Sequence, residues 1–426
     1  MTKPHQQSVV SHIPIGENDT RPGLAIVTNS ITPYQVNLDR SIAAGIPELK
    51  LHVLVTHGAA DFNWEIEIPP EIHLERFGAA GEHSRDNPLR RPIWGWRKGG
   101  RLIRHFRANN VRAAIFCGFT YISYARLINY CYRTSIPFFV NTDNNIRSER
   151  RLSALKSFAK RRVYAWWTKR AAGVLSMGKL GDQYFVKYGA DPRRLYRVPY
   201  WPDFDAFTDV DQIGLDRFRR KFGLELGRRY LLYSGRLVRD KRVDLLIDAF
   251  GAIAAQRPEW DLLIVGDGPL RDELQRRVPA AVRRRVVWTG FLEGRQLASA
   301  YHASDVLLLP SDQENWAVVV QEAMAAGLVV IASDVVGAAH ELVADGVSGR
   351  IFLRGDCDSL RQSLEDVTLP DRIDRYKSET TKALRRYREV VNPIAEIRRA
   401  LCDVGLLSPV SASQRSLKEA FSPNEQ

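Results

Sequence analysis

The chain has 426 residues, too many for one ordinary hydrophobic core, so two domains are expected. It is 45% hydrophobic and 26% charged, as globular proteins are, and no apolar run reaches the ~18 residues that a bilayer-spanning helix needs. Its formal net charge is +13, and the excess is uneven: residues 101–200 hold 20 basic and 4 acidic residues, whereas 201–426 hold 32 and 34. Such an asymmetry predicts that the first half faces a polyanion: anionic lipid, a phosphorylated substrate or nucleic acid. No nucleic-acid motif accompanies it.

The N-terminal 20 residues are polar and lack the apolar core of a secretory signal, so a disordered arm is expected there, and a disordered tail over 408–426. Four cysteines, at 117, 131, 357 and 402, form no C-x-x-C pair, and no two histidines stand at metal-ligand spacing. Reduced thiols, a cytoplasmic location and no structural zinc follow as expectations.

In chain order, "GLAIVTNS" predicts the first strand and "YQVNLDRSIAAGI" its helix. "LKLHVLVTH", "RAAIFCG", "PFFVNTD" and "AGVLSMG" predict further strands. The alternation breaks at "VPYWPDFDAF", 198–207, which predicts a boundary between a first domain over 21–200 and a second over 201–385. Beyond it, "RRYLLYSGRL", "DLLIVGDGP", "RVVWTGF", "DVLLLPS" and "LVVIASDVVG" predict strands, separated by the helical stretches "RVDLLIDAFGAIAAQ", "LRDELQRRV" and "EGRQLASAYHAS". Apolar runs of this length bounded by glycine fit parallel strands buried on both faces. The predicted class is α/β, with two Rossmann-like domains in tandem and ligands at the C-terminal strand ends. A last helical stretch over 386–407 could return to the first domain.

"SDQENWAVVVQEAMAAG", 311–327, places Glu314 and Glu322 eight positions apart. Asn315 is a favoured N-cap, so a helix is predicted to start there, leaving the amides of Trp316, Ala317 and Val318 as an anion site. If helical throughout, the segment sets the two glutamates ~12 Å apart. An anion at the helix start would then have a carboxylate on either side. A nucleotide sugar is built that way, its diphosphate flanked by two polyols. Countercharge is offered by "SGRLVRDK", where Gly235 ends a strand and Arg236 and Lys241 follow.

"GRLVRDKRVDLLIDAF", "IVGDGPLRDEL", "TGFLEGRQLASAYHASDVLLLPS" and "ENWAVVVQEAMAAGLVVIASDVVGAAHELVADGVSGRIF" together resemble the nucleotide-binding domain of the retaining glycosyltransferases of family four, which have the GT-B fold. The resemblance covers residues 229–353 in order. It implies that Arg236 and Lys241 bind the donor diphosphate, that Glu314 meets the donor sugar and that Glu322 grips the ribose. It also implies that the amides of Val318 and Val319 touch phosphate, beside Asn315. Gly290 and Phe291 of "TGFL" would seat the base, and the Gly266–Gly268 turn would line the cleft. Further implications are sugar transfer from a UDP- or GDP-linked donor with retention, no cofactor and no metal. The acceptor would be a glycan or lipid-linked molecule of bacterial surface polysaccharide or glycolipid assembly. A nucleotide-sugar epimerase or phosphorylase of the same fold is the alternative enzyme, and a non-catalytic basic membrane-binding module the alternative without chemistry.

Three places depart from the family pattern. Ala317 stands where glycine is common. "NSITPYQVN" replaces a glycine pair after the first strand and makes Asn29 and Tyr34 candidates for the cleft. No histidine occurs from 106 to 301, so Asn141 and Asp143 stand where the family has a cleft-facing histidine. Lastly, "RLSALKSFAKRRVYAWWTKRAAG", 151–173, aligns Leu152, Leu155, Ala159 and Tyr164 or Trp166 along one side of a strongly basic helix. That pattern suits an anionic membrane interface. His302 and His340 are expected to be structural.

Overall fold

The computed structural model describes residues 19–57, 66–78, 92–118, 121–149, 153–209 and 211–409. Nearly all of the predicted arm over 1–20 and tail over 408–426, and Leu152, lie outside them. Two compact units emerge: Met1–Thr32 with Asp39–Phe138, and Pro33–Leu38 with Phe139–Gln426. The aromatic stretch 198–207 lies inside the second.

In the first unit, β1 (Gly23–Thr28), β2 (Lys50–Val55), β3 (His73–Arg76) and β4 (Val111–Cys117) lie side by side in the order β3-β2-β1-β4, all parallel. β1 and β2 are apolar nearly throughout because both faces are covered.

The second unit holds two parallel groups. One is β5 (Phe138–Asn141), β6 (Gly173–Ser176) and β7 (Leu195–Arg197), in that order. The other is a six-stranded sheet of β8 (Arg229–Ser234), β9 (Trp260–Val265), β10 (Val286–Gly290), β11 (Val306–Leu309), β12 (Val329–Ser333) and β13 (Gly349–Phe352), ordered β10-β9-β8-β11-β12-β13. Order reverses between β8 and β11, the switch point at which α/β sheets bind ligands.

The six-stranded sheet separates two cores. Leu232, Leu263, Leu307 and Val330 point into one, and their chain neighbours Leu231, Leu262, Leu308 and Ile331 into the other. Strict alternation between two apolar layers is what makes each strand read as an unbroken hydrophobic run. The final helix, Pro393–Asp403, lies on β7: Tyr196 donates to Asp403 Oδ2 at 2.8 Å and Arg399 to the Leu195 carbonyl at 3.2 Å. No helix among the described residues is long and apolar enough to cross a membrane.

Candidate nucleotide-sugar site

The turns that follow β8, β9 and β10 meet main chain to main chain. Gly235 N–H donates to Val265 O at 3.0 Å, Gly266 N–H to Gly290 O at 2.8 Å and Leu237 N–H to Asp267 O at 2.9 Å. A Cβ on Gly266 would stand 1.8 Å from the Gly235 carbonyl oxygen, and one on Gly268 would stand 2.5 Å from that of Leu237. Gly266 also has φ +127° and Gly290 φ +77°, values that favour glycine. The predicted Gly235, Gly266 and Gly290 are thus brought together by backbone necessity. Phe291, next in line, is 45% exposed.

Arg236 follows Gly235, half-buried, and its carbonyl accepts a hydrogen bond from the buried Tyr233 hydroxyl at 2.8 Å. Lys241 ends a short 3-10 turn and forms an ion pair with Glu314, both side chains less than one-fifth exposed. Neighbouring bonds clamp that pair. Asp312 N–H donates to the Asp240 carbonyl at 2.9 Å, and Arg242 reaches Asp312 Oδ2 at 3.0 Å while also holding Asp244. The loop after β8 and the loop after β11 are therefore tied to each other.

The opening of the next helix corrects the sequence reading. It spans Val318–Ala325, so Asn315 is not its N-cap and residues 314–317 are an irregular turn, not helix. Three interactions pull the chain out of helical shape. Asn145 Nδ2 donates to the carbonyls of Glu314 (2.9 Å), Asn315 (2.7 Å) and Val335 (3.0 Å). Asn315 Nδ2 donates instead to Asp143 Oδ1 at 3.2 Å. Trp316 is buried in the core, its Nε1 donating to Gln321 Oε1 at 3.0 Å. Ala317, the actual cap, has φ +72° and ψ +84°. That conformation explains the family's glycine here, and alanine carries it with strain. The first free amides of the helix belong to Val318 and Val319, the residues proposed to touch phosphate.

Glu322 lies one turn further along. Desolvation raises its carboxyl to about 7, against the opposing hydrogen bond from Tyr301 at 2.8 Å. Asp143 is also raised, first by desolvation and then by the Glu314 charge, while Asn315 and Lys241 oppose the rise. Asp143, Glu314, Asn315 and Lys241 therefore form one polar cluster at the ends of β5, β8 and β11. Asn141 stays outside it: its amide donates to the Leu175 carbonyl at 3.2 Å, a strand-end role. Tyr34 packs at a tilt of 54° against Tyr200, with ring centroids 4.7 Å apart. Asn29 lies at the end of β1 in the first unit. His302 and His340 each bond a main-chain carbonyl at 2.8 Å, as structural histidines do.

Asn145 is the residue that sequence reading missed. It is 3% exposed, and its Oδ1 also accepts from the amides of Arg147 (2.9 Å) and Ser148 (2.7 Å). In "NTDNN" nothing local distinguishes it from its neighbours, because its partners lie some 170 positions away.

The basic helix spans Ala154–Thr168. Leu155, Phe158, Val163 and Trp166 are exposed among the exposed Lys156, Arg161, Arg162 and Lys169. Tyr164 and Trp167 pack inward. So does Lys160, which pairs with Glu149 at 2.6 Å and lies about equally close to the rings of Tyr164, Tyr184 and Tyr188. It is withdrawn from the outer basic face of the helix.

Residues 216–382 match the family of glycosyl transferases group 1. Among curated relatives, an alpha-D-kanosaminyltransferase of Streptomyces kanamyceticus is 29% identical over 212 residues, 48% of this chain and 54% of the relative. A GDP-mannose-dependent alpha-mannosyltransferase of Mycolicibacterium smegmatis is 38% identical over 159 residues, 37% of this chain and 40% of the relative. The chain spans about half or less of the length of these relatives. Anabaena Alr3699/HepE, solved in complex with UDP and glucose, superposes with a TM-score of 0.66 at 16% identity, covering 91% of this chain and 100% of that one. That likeness establishes the shared fold, two parallel-sheet α/β units of the GT-B type.

Proposed function

We propose, from the match of residues 216–382 to the glycosyl transferases group 1, that this chain transfers a sugar from a nucleoside diphosphate sugar to a glycan or lipid-linked acceptor, with retention at the anomeric carbon. The observation that carries this reading is the pair Lys241–Glu314, fixed beside the helix that starts at Val318 and carries Glu322 inside it. The diphosphate would meet the amides of Val318 and Val319 together with Arg236 and Lys241. Glu322 would accept from the ribose hydroxyls, and Glu314 would face the donor sugar.

In the transfer, the bond from the anomeric carbon to the diphosphate oxygen breaks as the acceptor hydroxyl oxygen bonds to that carbon on the same face. The hydroxyl proton leaves with the diphosphate. Negative charge grows on the departing phosphate, where Arg236 and Lys241 would stabilise it. With that countercharge in the protein, the chemistry needs no divalent ion at the phosphates. We further assign the acceptor side to a cytoplasmic, anionic membrane surface in polysaccharide or glycolipid assembly. The exposed Leu155, Phe158, Val163 and Trp166 among basic residues favour it.

A thermal-shift panel of UDP, GDP and ADP and their sugars tests the reading. One nucleotide class should stabilise the protein, and Arg236→Ala and Glu322→Ala should abolish the shift. Glu314→Ala should keep the shift while losing turnover. No stabilisation by any nucleotide would sink the proposal.

A further inference from the structure

The first unit holds a cluster that donor chemistry does not use. β2 and β3 are parallel neighbours whose register sets His52 directly beside His73. Side chains opposite each other share a sheet face. The helix Pro92–Ala108 brings His105 to the same place. One ligand nitrogen from each of the three rings can be chosen so that all lie within 4.8 Å of one another.

The spacing of the rings suits metal ligands as well as a hydrogen bond. His52 Nδ1 and His105 Nε2 are 3.2 Å apart. Two nitrogens sharing a tetrahedral zinc at about 2.0–2.1 Å each would be about 3.3 Å apart. His105 presents its other nitrogen, Nδ1, to Glu75 Oε2 at 2.6 Å. Such a carboxylate fixes the proton on Nδ1 and leaves the Nε2 lone pair aimed into the cluster, the carboxylate–histidine arrangement that orients metal ligands. Glu75 stands two residues after His73 on β3, hence on the same face. His52 is fully buried, and its Nε2 has no hydrogen-bond partner among the described residues. Hydrogen bonding therefore leaves one nitrogen of the His52 ring without a partner at that depth.

We propose that His52, His73 and His105 bind a divalent first-row transition ion, Zn2+ above others, with Glu75 as the positioning carboxylate behind His105. Three imidazoles and an open fourth position suit such an ion. Bound there, the ion ties the four-residue edge strand β3 to β2 and to the helix Pro92–Ala108. Sequence spacing concealed the site because each ligand comes from a different element. The trace it left was a histidine inside the otherwise apolar strand "KLHVLV".

The test uses the full chain, purified without a histidine tag and dialysed against chelator. Titration with Co2+ should give the visible bands of a tetrahedral site with a single ion per chain. Zn2+ should displace them and raise the melting temperature. His73→Gln and His105→Gln should abolish the bands, and Glu75→Gln should weaken binding 10- to 100-fold. If His105→Gln fails to fold, His73→Gln decides, since His73 is only half-buried. Unchanged Co2+ bands in folded His73→Gln would overturn the proposal. So would a folded wild-type protein that takes up no ion.

Discussion

Glu322→Gln should make the unliganded protein more stable above neutral pH. Burial raises the Glu322 carboxyl from 4.5 to about 7, so the folded state prefers the protonated form. For an acid raised on folding, the folded state binds the extra proton between the two values, and stability falls as pH climbs from about 4.5 through 7. Holding the carboxylate charged at pH 8.5 then costs about 3 kcal/mol relative to the neutral form. Glutamine is neutral at every pH, and its carbonyl can still accept from Tyr301. Urea melts at pH 5 and pH 8.5 should show near equality at the lower value and an advantage of up to about 3 kcal/mol for the variant at the higher. The same variant should lose stabilisation by nucleotide, since a carboxylate is the stronger acceptor for vicinal hydroxyls. A variant destabilised equally at both pH values would refute this reasoning.

Asn145→Ala removes three donated and two accepted hydrogen bonds around the 314–315 turn and should cost about 2–4 kcal/mol. Donor KM should rise more than kcat falls, and unaltered melting and kinetics would refute the tether. Ala317→Gly relieves a positive-φ alanine worth about 1–3 kcal/mol of strain against about 1 kcal/mol of added chain entropy. A net gain of about 1 kcal/mol in urea melts is expected, and a loss would refute the strain.

How far the sequence told this depends on burial. Every central strand of the six-stranded sheet was legible, because both faces are covered and the runs are apolar. The strands that escaped, β3, β7 and β13, all lie at the end of their strand order, with "HLER", "LYR" and "GRIF" too short and polar to read as buried strands. The same holds for the site. Gly235 was visible at its strand end, and Gly266 and Gly290 through the family resemblance. The cap at Ala317 was not, because the tertiary pull of Asn145 and Trp316 overrode Asn315's local preference. Long-range partners such as Asn145 with Asn315, or His52 with His105, leave no periodic signal at all.

The glycine contact at the strand ends bears on how such a site could be altered. Where Gly235 and Gly266 touch, the surface is peptide, with no rotamer to change and no methyl group of space to spare. A ligand resting there meets a floor already in its final shape, so little ordering entropy is lost on contact. It also follows that variation has no foothold at those two positions. Variation near that floor has to enter through neighbouring side chains instead, such as the exposed ring of Phe291.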